Sequence, residues 1–364
     1  MIFFVFGALI WNKVNPIDYQ IYEADAIQYN KGVVTEVVEE SLERVPEDKN
    51  RYLGVQIITV NMKNGTFEGE ELEIENNLST THNRYVKKGQ HVIIKVDSPE
   101  GAQPYFSLYN YDRTPGVVLI ISIFILLMGI VGRQKGIKSV ISLAFTVVII
   151  GVFLLPMIYH GYSPIVCCII TIIFTASISM ILLNGYGKKT LIAILFTGIG
   201  VFVAAIVFSL FSELLHLTGY NLEEVEELIL ISQNTGLKTG ELLFAGLLIS
   251  SLGAVMDMTV SVASSLFEIK QIHPAMSFRA IFSSGMNIGK DMIGTMSATL
   301  ILAFTGTAIT TLLVLISYGA SMDQLLSSDY FTIEVAHAIT GSIAIIFTVP
   351  ITALIAAYLL CKQN

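Results

Sequence analysis

Asp257 is the side chain whose type and setting most suggest chemistry. It lies within a long apolar run, Leu252-Gly-Ala-Val-Met-Asp257-Met-Thr-Val-Ser261. A bare charge at membrane depth is expensive, so such a residue usually faces a bundle interior or a water-filled path. Ser250, Gly253, Ala254, Ser261, Ser264 and Glu268 fall on its helical face, while Leu252, Val255, Met256 and Met258 point elsewhere. Two readings stay open. The stripe is a cation or proton site with carboxylate and hydroxyl oxygens as ligands, or an interhelical hydrogen bond or salt bridge that fixes packing.

A second cluster, Asn287-Ile-Gly289-Lys290-Asp291, opens the next apolar run, and Asn287, Asp291 and Thr295 share one face. At the start of a helix Asp291 would complement the dipole as a cap, so capping and a polar path both remain. Lys290 is a candidate cytoplasmic partner for Asp257 if the intervening loop folds back. The run that follows is rich in small and hydroxylated residues, which suits close packing or a polar lining.

These residues need membrane-spanning helices to hold them. Of the 364 residues 53% are hydrophobic and 14% charged, against about a quarter charged in ordinary soluble proteins. A helix that crosses about 30 Å of hydrocarbon needs about 20 apolar residues. Seven runs approach or meet this: Gly116–Gly132, Ile137–Tyr159, Pro164–Leu183, Thr190–Phe211, Leu242–Leu266, Met292–Tyr318 and Val335–Leu360. Ile2–Trp11 is shorter and is expected to be part of a membrane anchor within residues 1–14, with a signal-peptide core as the alternative. The expectation is an α-helical polytopic membrane protein of about eight passes, with a seven-helix domain over residues 116–361.

Lys and Arg orient it. Arg133 and Lys135, Lys188 and Lys189, Lys270, Arg279 and Lys290, and finally Lys362 occupy alternate connections. The connections between them are acidic or uncharged; Ser212–Glu241 holds Lys238 against six Glu. The C-terminus is therefore expected in the cytoplasm, and the polar block before Thr114 outside. That block, residues 22–111, reads as a small β-rich barrel or sandwich. Gly32–Val38, Val55–Met62, Thr66–Glu75 and His91–Asp97 are candidate strands, with a hairpin turn at Lys63-Asn64-Gly65. Within residues 212–241, Leu222, Val225, Leu228, Ile229 and Ser232 fall at helical spacing opposite Glu223, Glu224, Glu226 and Glu227. An acidic amphipathic helix is expected there, either a solvated cap or a vestibule that gathers cations.

Gly253-Ala-Val-Met-Asp257-Met-Thr-Val-Ser261, followed by Gly289-Lys-Asp291-Met-Ile-Gly-Thr-Met296, resembles the paired signature of the YibE/F-like bacterial membrane proteins. Gly-Lys-Asp stands here for the family's Gly-Arg-Asp, keeping the charge without the planar guanidinium fork. The resemblance implies a multi-pass protein of the bacterial envelope, and the expected location is the bacterial cytoplasmic membrane. From the residues, the leading expectation is a transporter or permease component for an ion or small solute, with a path near Asp257 and Asp291. The rival is a non-transporting envelope assembly or scaffold protein that binds a partner through residues 22–111. The lipid bilayer is the expected surrounding. Net charge is −8 with no basic tract, which argues against nucleic acid. The chain has no HExxH helix and no Walker A loop, so no catalytic, cofactor or metal residues are assigned. A faint Ser321 and His337 arrangement leaves an intramembrane protease as the enzyme alternative.

Overall fold

The computed structural model describes residues 2–21, 27–45, 48, 51–99 and 101–362. It divides into two compact units, one of residues 20–127 and one of residues 1–19 with 128–364.

The first unit is built on five antiparallel strands, β1 (Ile27–Arg44), β2 (Tyr52–Met62), β3 (Glu71–Leu78), β4 (His91–Asp97) and β5 (Tyr105–Tyr111), in the order β3-β2-β1-β4-β5. Alternate side chains turn inward, as the pleat requires: Val34, Ile58, Val60, Met62, Ile74, Val92, Ile94 and Val96 are buried together. β1 changes register against β2 between Val34 and Glu36 and between Val37 and Glu39. Such bulges bend a strand, and the edge strands β3 and β5 approach one another without pairing. The result is a half-barrel. Tyr22, the expected start of this block, lies outside the described residues. The expected strand Thr66–Glu75 is corrected: β3 begins at Glu71, because Asn64 is drawn away from a tight turn. Its side-chain oxygen accepts the Lys31 N–H at 2.6 Å, and the chain needs residues 63–70 to come round.

The second unit is helical. Its long helices are α2 (Thr114–Ile149, whose first turns belong to the β unit), α4 (Pro164–Asn184), α5 (Lys188–Leu215), α7 (Leu242–Ile272), α8 (Phe278–Ser317) and α10 (Asp329–Lys362). All six are long and apolar enough to cross a membrane. Shorter helices are α1 (Ile2–Val14), α3 (Leu155–Tyr159), α6 (Val225–Thr235) and α9 (Met322–Leu326). The α2–α3 stretch is 46 residues long, about 69 Å if straight and over twice the hydrocarbon thickness. It breaks at Arg133, whose φ of 49° and ψ of −132° are not helical. Gly136 there lies so close to Met128 that a Cβ would fall 1.9 Å from its carbonyl oxygen.

A π-helical turn, Ile150–Leu154, precedes Pro156. Proline has no N–H to give to the carbonyl four residues back, and Asn12 of α1 donates to that Val152 carbonyl at 2.7 Å instead. Phe4 of α1 packs on Phe153 and Phe174. α1 is about 20 Å long, short of a full crossing.

Three helices start well away from where they were expected. α8 starts at Phe278, capped by Ser277, so Asp291 lies about four turns inside the helix and caps nothing. Hydropathy missed this start because Arg279, Ser283, Asn287 and Lys290 fill one face, while Ile281, Gly285 and Gly289 are buried on the other. α10 starts at Asp329, which places Glu334 and His337 within it. The acidic helix α6 starts at Val225, leaving Leu222, Glu223 and Glu224 before it.

Candidate functional site

α7 packs one broad face, from Leu243 through Leu252, Val255, Met258 and Val262 to Leu266, into the core. The narrow remaining face holds Ser250, Gly253, Asp257 and Glu268, which are exposed, and Ser261 and Ser264, which are half-buried. Asp257 borders a cavity of about 360 Å³ between α7, α4 and α2. Across it stand Ser139, Ser142 and Thr146 of α2 and Thr171, Thr175 and Ser179 of α4.

Most of these hydroxyls have spent their proton. Thr171 donates to the Cys167 carbonyl, Thr146 to the Ser142 carbonyl and Ser139 to the Lys135 carbonyl, at 2.9–3.0 Å. Ser142 and Ser179 bond each other across the helices at 2.5 Å. A hydroxyl that donates keeps its lone pairs, so these groups present oxygen acceptors to the cavity. Thr175 is 3% exposed, and its Oγ1 has no partner. An unmade bond of this kind costs about 1–3 kcal/mol. Asp257 has no ion-pair partner among the described residues. One carboxylate facing hydroxyl oxygens suits a hard monovalent cation or a proton. Among the described residues no three His, Cys, Asp or Glu side chains gather as a metal site.

The structure does not bring Asp291 into this cavity. Gly285 and Gly289 press on α10: a Cβ at Gly289 would lie 2.1 Å from Val349 and one at Gly285 2.8 Å from Ala353. Asn287 and Asp291 lie two residues from Gly289, about 200° around the helix, and are exposed with Thr295 and Lys290. Lys290 forms no ion pair with Asp257, because α8 is continuous where a returning loop was considered. Ser321 caps α9, its hydroxyl accepting the Gln324 N–H at 3.3 Å.

A family model described as YibE/F-like protein matches residues 120–362, and one described as YibE/F family N-terminal domain matches residues 21–110. The chain belongs to the YibE/F family. The comparisons with curated proteins and with solved structures return no match. In this YibE/F protein the N-terminal match covers the half-barrel as far as Asn110, and the other covers the helical unit from residue 128 to residue 362, with α1 outside both. The two signature stretches divide the work. The first carries Asp257 to the cavity, and the second seats α8 on α10 through its glycine.

The hydroxyls of α2 and α4 escaped the sequence reading. Thr171, Thr175 and Ser179 recur every four residues, a helical stripe that was legible. That the stripe faces Asp257 is a tertiary fact.

Proposed function

We propose that this protein is a multi-pass permease component of the bacterial cytoplasmic membrane that moves an ion or small solute, coupled to cation or proton occupancy at Asp257. The observation that carries the reading is the cavity in which Asp257 and the unpartnered, buried Thr175 face a wall of hydroxyl oxygens. The break of α2 at Arg133 supports two passes on either side of a basic turn, so the long runs give seven crossings and α1 a short eighth segment. The alternation of basic and acidic connections supports a cytoplasmic C-terminus and an outer half-barrel.

The test is reconstitution in liposomes, with Na⁺, K⁺ and H⁺ as probes. We expect Asp257→Asn to abolish the dependence of flux on the coupling cation and Ser142→Ala to weaken it. Unchanged flux and pH dependence in Asp257→Asn would overturn the coupling role. A well-folded wild-type protein with no flux for any probe would favour a scaffold that binds a partner through the half-barrel.

A further inference from the structure

A second polar cluster lies at the end of the helical unit that carries the acidic loop, and the Asp257 cavity does not use it. Glu334, His337 and Thr340 follow at intervals of three along α10, a slanting line about 9 Å long on one side of the helix. Glu334 Oε2, His337 Nε2 and Thr340 Oγ1 are each buried without a hydrogen-bond partner. Thr340 is wholly inaccessible.

The surroundings are mostly apolar. The His337 ring has Phe208 of α5 and Phe304 of α8 as neighbours, with centroids 5.9 and 5.7 Å away. The backbone of Leu243 in α7 hydrogen-bonds the ring, and Nε2 is the ring nitrogen left without a partner. Glu334 borders a small cavity of about 130 Å³, whose other walls include Ile301, Phe304, Leu312 and Phe331. No cation neutralises either group among the described residues. The charged group facing Glu334 is another acid, Glu223, from the stretch just before α6. α5, α7 and α8 present Phe208, the Leu243 backbone and Phe304 here, none of which titrates. α9 carries Asp323, and α10 itself carries Asp329 about a turn earlier. A carboxyl and an imidazole about a turn apart, each keeping one buried atom without a partner among apolar walls, are poor packing elements. They suit a shared proton well.

We propose that Glu334 and His337 form a coupled proton-binding pair, loaded from the acidic loop past Glu223. In the pair one proton moves from the Glu334 carboxyl oxygen to His337 Nε2, turning carboxylic acid and imidazole into carboxylate and imidazolium. The reverse step restores both. Side chains at this spacing are about 5–6 Å apart at Cβ, a gap that one water bridges. Thr340 lies a turn deeper and accepts or donates at the inner end of the line.

Infrared difference spectra of the full-length protein in nanodiscs, recorded across a pH series, test this without any assumption about transport. A protonated-carboxyl band should disappear in Glu334→Gln and persist in Asp257→Asn. In His337→Gln its midpoint should move by about one pH unit or more, the signature of coupled sites. A carboxyl band unaltered by Glu334→Gln, or a midpoint unmoved by His337→Gln, overturns the pair. Should His337→Gln fail to fold, nuclear magnetic resonance of nitrogen-labelled histidine gives the same reading from the other partner. The His337 titration must then move in Glu334→Gln, and an unmoved titration overturns the proposal.

Discussion

Gln56 in the half-barrel and Thr175 in the helical unit are both buried polar side chains, and the two units treat them in opposite ways. The Gln56 carbonyl accepts from the Val86 N–H at 3.1 Å and from Asn76 Nδ2 at 3.0 Å. Its amide donates to the Val86 carbonyl at 3.0 Å and to Glu40 at 2.7 Å. Asn76 also ties down the Arg84 carbonyl at 2.9 Å. Among the described residues of the sheet, Asn30 alone keeps a buried, unpaired side-chain nitrogen. The helices leave Asn12, Thr175, Ser297, Glu334, His337, Thr340 and Thr352 with a buried atom unpaired.

Backbone accounting explains the difference. The segment between β3 and β4 has carbonyls and N–H groups that no ladder satisfies, so Gln56 and Asn76 satisfy them. A membrane helix satisfies its own backbone. Polar side chains between such helices are free of that duty, and those left unpaired are available to an occupant.

The largest expected effect breaks the sheet side of this contrast. Gln56→Leu strands the buried N–H and carbonyl of Val86 and should destabilise the half-barrel by about 3 kcal/mol. Pulse proteolysis of the full-length protein, with cleavage followed in residues 27–111, measures it. Thr175→Val removes a hydroxyl that bonds nothing, so stability should hold or rise, by at most the roughly 1–3 kcal/mol that an unmade bond costs, while cation dependence of flux weakens. If thermal unfolding shows Thr175→Val to be as costly as Gln56→Leu, the hydroxyl has a structural partner and the contrast fails.

What the sequence disclosed follows the same division between local and tertiary causes. β4 was legible over its full length, His91–Asp97, because its apolar residues alternate cleanly. β1 runs well beyond Gly32–Val38, to Arg44, and the Glu residues of its second half hid the extension. β5 has no such alternation and went unseen, since Tyr105 and Tyr109 are exposed aromatics. Hydropathy found the helices because apolar length is a property of the run itself. It misplaced the starts of α8 and α10, where only one face is apolar. Asp257 was legible as a charge in an apolar run. Its neighbours on α4 were not, and Glu334 falls just before the apolar run Val335–Leu360 because the first turns of α10 are polar.

The smallest effect sharpens the sheet side, where a charge is paired and should behave accordingly in acid. Asp112 accepts the Thr114 N–H at 3.0 Å and pairs with Lys31 at 3.2 Å. Its side chain is 5% exposed, while that of Lys31 is half exposed. Hydrogen bonding from Thr114 first, and then Lys31, hold the Asp112 carboxyl below the ordinary carboxylate range. A depressed value in the folded state means the carboxylate stabilises the fold at any pH above the unfolded value of about 3.9. That stability drains away as pH falls through the lower folded value. Wild type should therefore lose slightly more stability than Asp112→Asn between pH 7 and acid, by under about 1 kcal/mol for a partner so exposed. Thermal unfolding of both proteins down the pH series measures the gap. A gap that stays constant across the series would mean that the pair gives the half-barrel no charge-dependent stability. The sheet would then be held by neutral bonds such as those between Gln56 and Val86.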